Sequence, residues 1–192
     1  MSSPAALKYT ASANRIPTLR RAATDRRLRP MSLDEIRIYY HAGLTAYVAA
    51  WNAYIKNLVH DFYDVIADPS DPKFRAIYTI ARKRAENALK RFNTPNSENT
   101  RDILVWYTGY DPINTLLWIQ REKLDDIVEV RHSFAHGFDM PSNTWTQSLG
   151  KRGHLTNKAI QETEDFFKNL VEVIDKGMKA YIESTYGLTN IW

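Results

Sequence analysis

Residues 31–67 read MSLDEIRIYYHAGLTAYVAAWNAYIKNLVHDFYDVIA, and this stretch decides the fold. Leu44, Tyr47, Val48, Trp51, Tyr54, Ile55, Leu58, Phe62, Val65 and Ile66 recur at three- and four-residue spacing, which is the mark of one apolar face on a helix. Ser32 and Glu35 stand in the register of a capping box, where hydroxyl and carboxylate each satisfy a free amide of the first turn. The spacing predicts a helix over about 33–67, long for a globular protein.

Working outward, the Asp68–Pro72 segment stops this helix, and Asp71-Pro72 opens a second over 72–92. That helix carries Lys73, Arg75, Arg82, Lys83, Arg84, Lys90 and Arg91. The loop Asn93-Thr94-Pro95-Asn96 leads to a short helix near 97–107. Thr108-Gly109-Tyr110-Asp111-Pro112 is a second break with the same Asp-Pro start signal, so a helix is expected over 112–136, ended by Gly137. Thr156 opens a last helix with the stripe Ile160, Phe167, Leu170, Val171, Ile174, Met178, Tyr181 and Ile182, and Gly187 closes it. No stretch sustains period-two alternation. The expected class is all-α, a helical bundle of four to five helices over residues 31–192.

The 192 residues include no Cys, which excludes disulfides, thiolate metal sites and Cys nucleophiles, and fits a reducing, cytoplasmic compartment. The longest apolar run is Ala46–Trp51, against about 20 residues needed to span a bilayer. The net charge of +4 is unevenly placed. Residues 1–30 hold seven basic residues and one acid, Asp25, which leaves 19 basic and 21 acidic residues in the remainder. With Pro4, Pro17 and Pro30 and no hydrophobic periodicity, residues 1–30 read as a basic, extended N-terminal arm outside the core. Such an arm can lie along nucleic-acid phosphate, tether a partner subunit, act as a transit peptide or remain a solvated tail.

Chemistry concentrates in Arg131-His132-Ser133-Phe134-Ala135-His136-Gly137. On a helical wheel, Ile113, Leu117, Gln120, Leu124, Ile127, Val128, Arg131 and Ala135 share one facet, with Arg131 inside an apolar stripe. A guanidinium there needs an anion or water. His132 and His136 lie one turn apart and titrate near neutral pH, and Ser133 adds a hydroxyl. Arg131 can also be read as one half of a structural ion pair, and His136 as a partner of the helix C-terminal dipole. The motif holds no third ligand for a metal, so no cofactor or metal is expected, and Arg/His phosphate chemistry is the functional reading.

This Arg-x4-His pattern resembles the motif of HEPN domains. Asn93-Thr94-Pro95, Thr108-Gly109-Tyr110-Asp111-Pro112-Ile113, Trp118 and the Ala50–Tyr54 segment are similar to its RiboL-PSP branch. The resemblance implies a dimer whose motif helices face each other and a metal-independent endoribonuclease, often a toxin or effector in prokaryotic anti-phage or toxin–antitoxin systems. It implies Arg131 as the phosphate-binding catalytic residue, His136 as the acid/base and His132 as an orienting group. RNA is then the substrate, with the 2′-hydroxyl as nucleophile, and the apolar stripe is a dimer interface. Ser133, Arg82 and Arg84 are candidate substrate-binding residues. Phe138 stands where nucleotidyltransferase-silenced members carry a modifiable Tyr, so that form of antitoxin control is not implied. The alternatives are a non-catalytic HEPN module that binds RNA or a partner, and a helical subunit tethered by its arm.

Overall fold

A computed structural model describes residues 2–25, 32–67, 72–113, 116–137, 139–149, 154–189 and 191–192. Among them run eight helices: α1 (Pro4–Ala13), α2 (Pro17–Thr24), α3 (Leu33–Ile66), α4 (Pro72–Arg91), α5 (Ser97–Thr108), α6 (Trp118–Ala135), α7 (Thr144–Ser148) and α8 (Asn157–Tyr186). The expected all-α bundle is α3, α4, α5, α6 and α8, with α1, α2 and the single-turn α7 added to it.

Helix α3 is the spine, at about 1.5 Å per residue some 51 Å long. The capping box forms: Ser32 Oγ accepts from the Glu35 amide at 3.2 Å, and the Glu35 carboxylate accepts from the Ser32 amide at 2.6 Å. Leu44, Trp51, Ile55 and Leu58 are completely buried along one face, against Leu170, Ile174 and Phe167 of α8 and Leu124 and Ile127 of α6 in the same core. Trp51 meets Phe167 with ring centroids 5.8 Å apart. Its indole N–H donates to the Pro95 carbonyl at 2.9 Å, and the Asn52 amide donates to the Phe92 carbonyl at 3.2 Å. The loop between α4 and α5 is thereby stitched to the spine.

The N-terminal expectation is corrected. Residues 4–24 are not an extended arm: α1 and α2 lie on α3 and bury Ala5, Ala6, Tyr9, Ala13 and Ala23. Both prolines open helices, where the missing N–H and fixed φ are no handicap. The start of α1 is capped from other helices. Asp175 of α8 accepts from the Ser3 amide at 3.0 Å and from the Ser3 hydroxyl, and Asp61 of α3 accepts from the Ala5 amide at 2.6 Å. The Arg26, Arg27 and Arg29 cations of the expected arm lie outside the described residues.

Helix α6 starts at Trp118 rather than near 112. Asp111 does not cap it: its carboxylate accepts from the Ile113 amide at 3.1 Å and pairs with Arg101 of α5 at 2.8 Å, which makes a turn there. Gly109 ends α5 in the left-handed region at φ +78°. The start of α5 is locked to α6 by Asp125, which accepts from the Ser97 amide at 2.6 Å and the Ser97 hydroxyl at 2.7 Å. These two joints, with the Trp51 and Asn52 bonds, set α3, the 92–96 loop and the motif helix against one another.

Candidate functional site

The facet of α6 that reads as a dimer interface is used inside the protomer. Leu124, Ile127, Val128 and Val130 are buried in the core against α3, whereas Leu117 lies outside α6 and is exposed. The single-chain core needs that stripe, because α3 presents it with an apolar face of its own. Arg131 emerges where the stripe ends, half-buried, at the edge of a groove of about 330 Å³. Val48, Ala53, Asn52 and Lys56 of α3 form one wall, and Asn93 closes it from the 92–96 loop. Among the described residues no carboxylate pairs with Arg131 and no hydrogen-bond acceptor holds its guanidinium. The structural ion-pair reading of Arg131 therefore has no partner within the described residues.

His132 and His136 are both exposed, their ring centroids 4.4 Å apart. His136 is the C-terminal cap of α6 and Gly137 follows at φ +140°, so the helix stops where the sequence predicts. His136 lies five positions after Arg131, roughly 140° around the helix and about 7.5 Å along it. Arg131 lines the groove and His136 does not. One protomer thus displays both chemistries but does not converge them. The Ser133 hydroxyl donates back to the Val130 carbonyl at 2.8 Å, which commits its proton to the helix.

Phe134, one turn beyond Arg131, also faces α3 and stacks on His41, centroids 4.7 Å apart and planes 7° from parallel. Burial, and then the charge of nearby His154, pull His41 below its ordinary pKa. This neutral imidazole against a phenyl ring pins the last turn of α6 to the spine. Sequence reasoning misses it, and its only signal is a His on the face that α3 buries.

The two α4 candidates separate. Arg82 donates to Asp64 of α3 at 2.6 Å and to the Tyr78 hydroxyl at 2.9 Å, and it meets Glu86 at 3.4 Å. It is a structural cation, already neutralised. Arg84, two residues on and so on the opposite side of α4, is exposed and does not line the Arg131 groove. Lys56 and Asn93 do line it, and neither is among the expected site residues. Phe138 lies outside the described residues. Among the described residues no three His, Asp or Glu side chains cluster so as to hold a metal ion, and no helix is long and apolar enough to cross a membrane.

A family model described as RiboL-PSP-HEPN matches residues 13–180. No curated protein and no solved structure matches the chain.

Proposed function

The chain belongs to the RiboL-PSP-HEPN family, and from that premise we propose that it is a metal-independent endoribonuclease acting in the cytoplasm as an effector of prokaryotic anti-phage or toxin–antitoxin defence. The observation that carries the reading is Arg131: a permanent cation at the rim of a groove, with no anion of its own among the described residues, five positions before an exposed imidazole. A buried or half-buried cation without a carboxylate is costly to keep, and a phosphate is the anion its planar fork fits best.

In this reading Arg131 holds the scissile phosphate and stabilises the charge of the five-coordinate transition state. The neighbouring 2′-oxygen forms a bond to phosphorus while its proton passes to an imidazole, and the bond from phosphorus to the 5′-oxygen breaks. A second imidazolium protonates that leaving oxygen. The products are a 2′,3′-cyclic phosphate and a free 5′-hydroxyl. His132, beside His136, orients it. Because one protomer turns Arg131 and His136 to different sides of α6, the reading takes a second copy, with Arg131 of one and His136 of the other sharing a cleft.

A second reading, a non-catalytic module that binds a partner protein, is favoured by the exposed Leu117, Trp118 and Ile119 at the start of α6, each more than 60% accessible. One experiment separates them. Single-stranded and transfer RNA are incubated with the protein in chelator, and products are tested for cyclic phosphate. Arg131→Ala and His136→Ala each lower cleavage by about 10²-fold or more with the helical circular dichroism unchanged, and light scattering reports a dimer. Cleavage that survives both substitutions removes this site from the reaction.

A further inference from the structure

Helix α4 runs back along α3, and their facing side chains form an antiparallel series. At the far end Asp64 pairs with Arg82, and Glu86 pairs with the same guanidinium. Nearer the motif, Lys56 and His60 of α3 face Glu86, Leu89 and Lys90 of α4 across a second groove of about 330 Å³. Lys56 lines both this groove and the one that holds Arg131, so the two adjoin at that side chain. Taken together, the two linings run from Arg131 and Asn93, through Lys56 with Lys90 opposite, to His60.

The charges along it are not those of a self-contained structure. Among the described residues neither Lys56 nor Lys90 has a carboxylate within ion-pair distance, and Lys90 has only a long contact of 3.5 Å to the Asn87 side chain. Two ammonium groups share this groove with one carboxylate, Glu86, which already meets Arg82, and Lys56 also lines the groove of Arg131, which has no carboxylate partner among the described residues. Like charges so placed repel unless an anion enters. Where α4 and α3 need no ligand, as at Arg82, the cation is met by two carboxylates.

We propose that this α3–α4 groove is the track of the RNA strand next to the cleavage point, with Lys56 and Lys90 gripping the phosphate or phosphates adjacent to the one held by Arg131. The proposal rests on the ribonuclease reading and gives the substrate its path. Asn52, Lys56 and His60 stand at four-residue intervals on one face of α3, so the track extends about 12 Å. That length accommodates about three nucleotides at a stacked rise of about 3.4 Å, which favours a single strand over a free nucleotide. The grip is on phosphate, so it carries affinity without reading bases.

The test uses full-length protein with His136→Ala, which keeps Arg131 and the groove but removes the acid/base. Binding of a labelled short single-stranded oligoribonucleotide is followed by fluorescence anisotropy across a salt series. Adding Lys56→Ala with Lys90→Ala weakens binding about tenfold at low salt and lowers the slope of log affinity against log salt by about 1.4, at about 0.7 for each phosphate no longer neutralised. Removing equal charge at two exposed lysines outside the groove, Lys83→Ala with Lys158→Ala, leaves both quantities unchanged. With His136 intact, the Lys56/Lys90 variant raises KM and keeps kcat, because a phosphate grip outside the reacting centre is uniform binding. If RNA binds and is cut, but the Lys56/Lys90 variant binds with unchanged affinity and slope, the track is wrong while the ribonuclease reading stands. If His136→Ala protein binds no RNA at all, both fall together.

Discussion

Asp61→Ala removes the α3 carboxylate that accepts from the Ala5 amide at 2.6 Å, at a place where Ala5 is fully buried and Asp61 is 8% exposed. The stranded amide loses a charge-assisted bond in a dry environment, a cost of about 1–3 kcal/mol. Against this, the carboxylate no longer has to be desolvated, and burial is the main reason its pKa is raised. The net expectation is about 2 kcal/mol, or a Tm lowered by roughly 4–8 °C in a chain of this size. Asp175→Ala strands both the amide and the hydroxyl of Ser3 and costs about 3 kcal/mol by the same reasoning. The two do not add. Both carboxylates hold one helix start, so once α1 is released the second has nothing left to hold, and the double variant loses less than the sum. Asp61→Asn keeps an acceptor and drops the buried charge, so it costs under about 1 kcal/mol. Urea unfolding followed by circular dichroism gives the energies, and amide exchange over residues 4–13 locates them. A loss below about 0.5 kcal/mol for Asp61→Ala, with those amides equally protected, would mean that α1 is held by burial of Ala5, Ala6 and Tyr9 alone and that the caps contribute nothing.

Burial holds His41 below its ordinary value, so the unfolded chain takes up this proton first: stability is lost as pH falls from about 6.5 through the lowered value, and His41→Gln flattens that part of a urea-midpoint series between about pH 7 and pH 5. Gly109→Ala costs about 1–3 kcal/mol in the same assay, because φ is +78° and the added methyl runs into the Tyr181 hydroxyl; no loss would show that the α5 terminus relaxes freely. Trp51→Phe strands the buried Pro95 carbonyl and underfills the core, for about 2–4 kcal/mol; by loosening the 92–96 loop that carries Asn93 it also raises the KM for RNA, measured well below the new melting temperature.

What the sequence discloses follows the range of the interactions involved. The limits of α3, α5 and α8 are written in neighbours: Ser32 with Glu35, Asn96 with Asn99, Thr156 with Ala159, and the left-handed glycines 109 and 187. Helices α1 and α2 are illegible there because their buried residues are mostly alanines, which give little periodic signal, and because the groups that fix α1 lie 56 and 172 residues away. Asp111-Pro112 misleads for a related reason: a local start signal is overridden by Arg101 on another helix. At the site, Arg131, His132 and His136 are visible as a local pattern. Arg82 is misjudged because Asp64 neutralises it across two helices, and Lys56 is overlooked because its partner Lys90 depends on a register that neither helix states by itself.

The bond between Ser3 and Asp175 also orders events in time. Translation delivers about 5–20 residues per second, so Ser3 leaves the ribosome roughly 10–35 s before the carboxylate that caps it. Helix α1, whose isolated length of 10 residues is too short to persist in water, has no complete dock until α8 has been made. Helix α1 is therefore made well before the carboxylate that completes its dock, and it settles only once α8 exists.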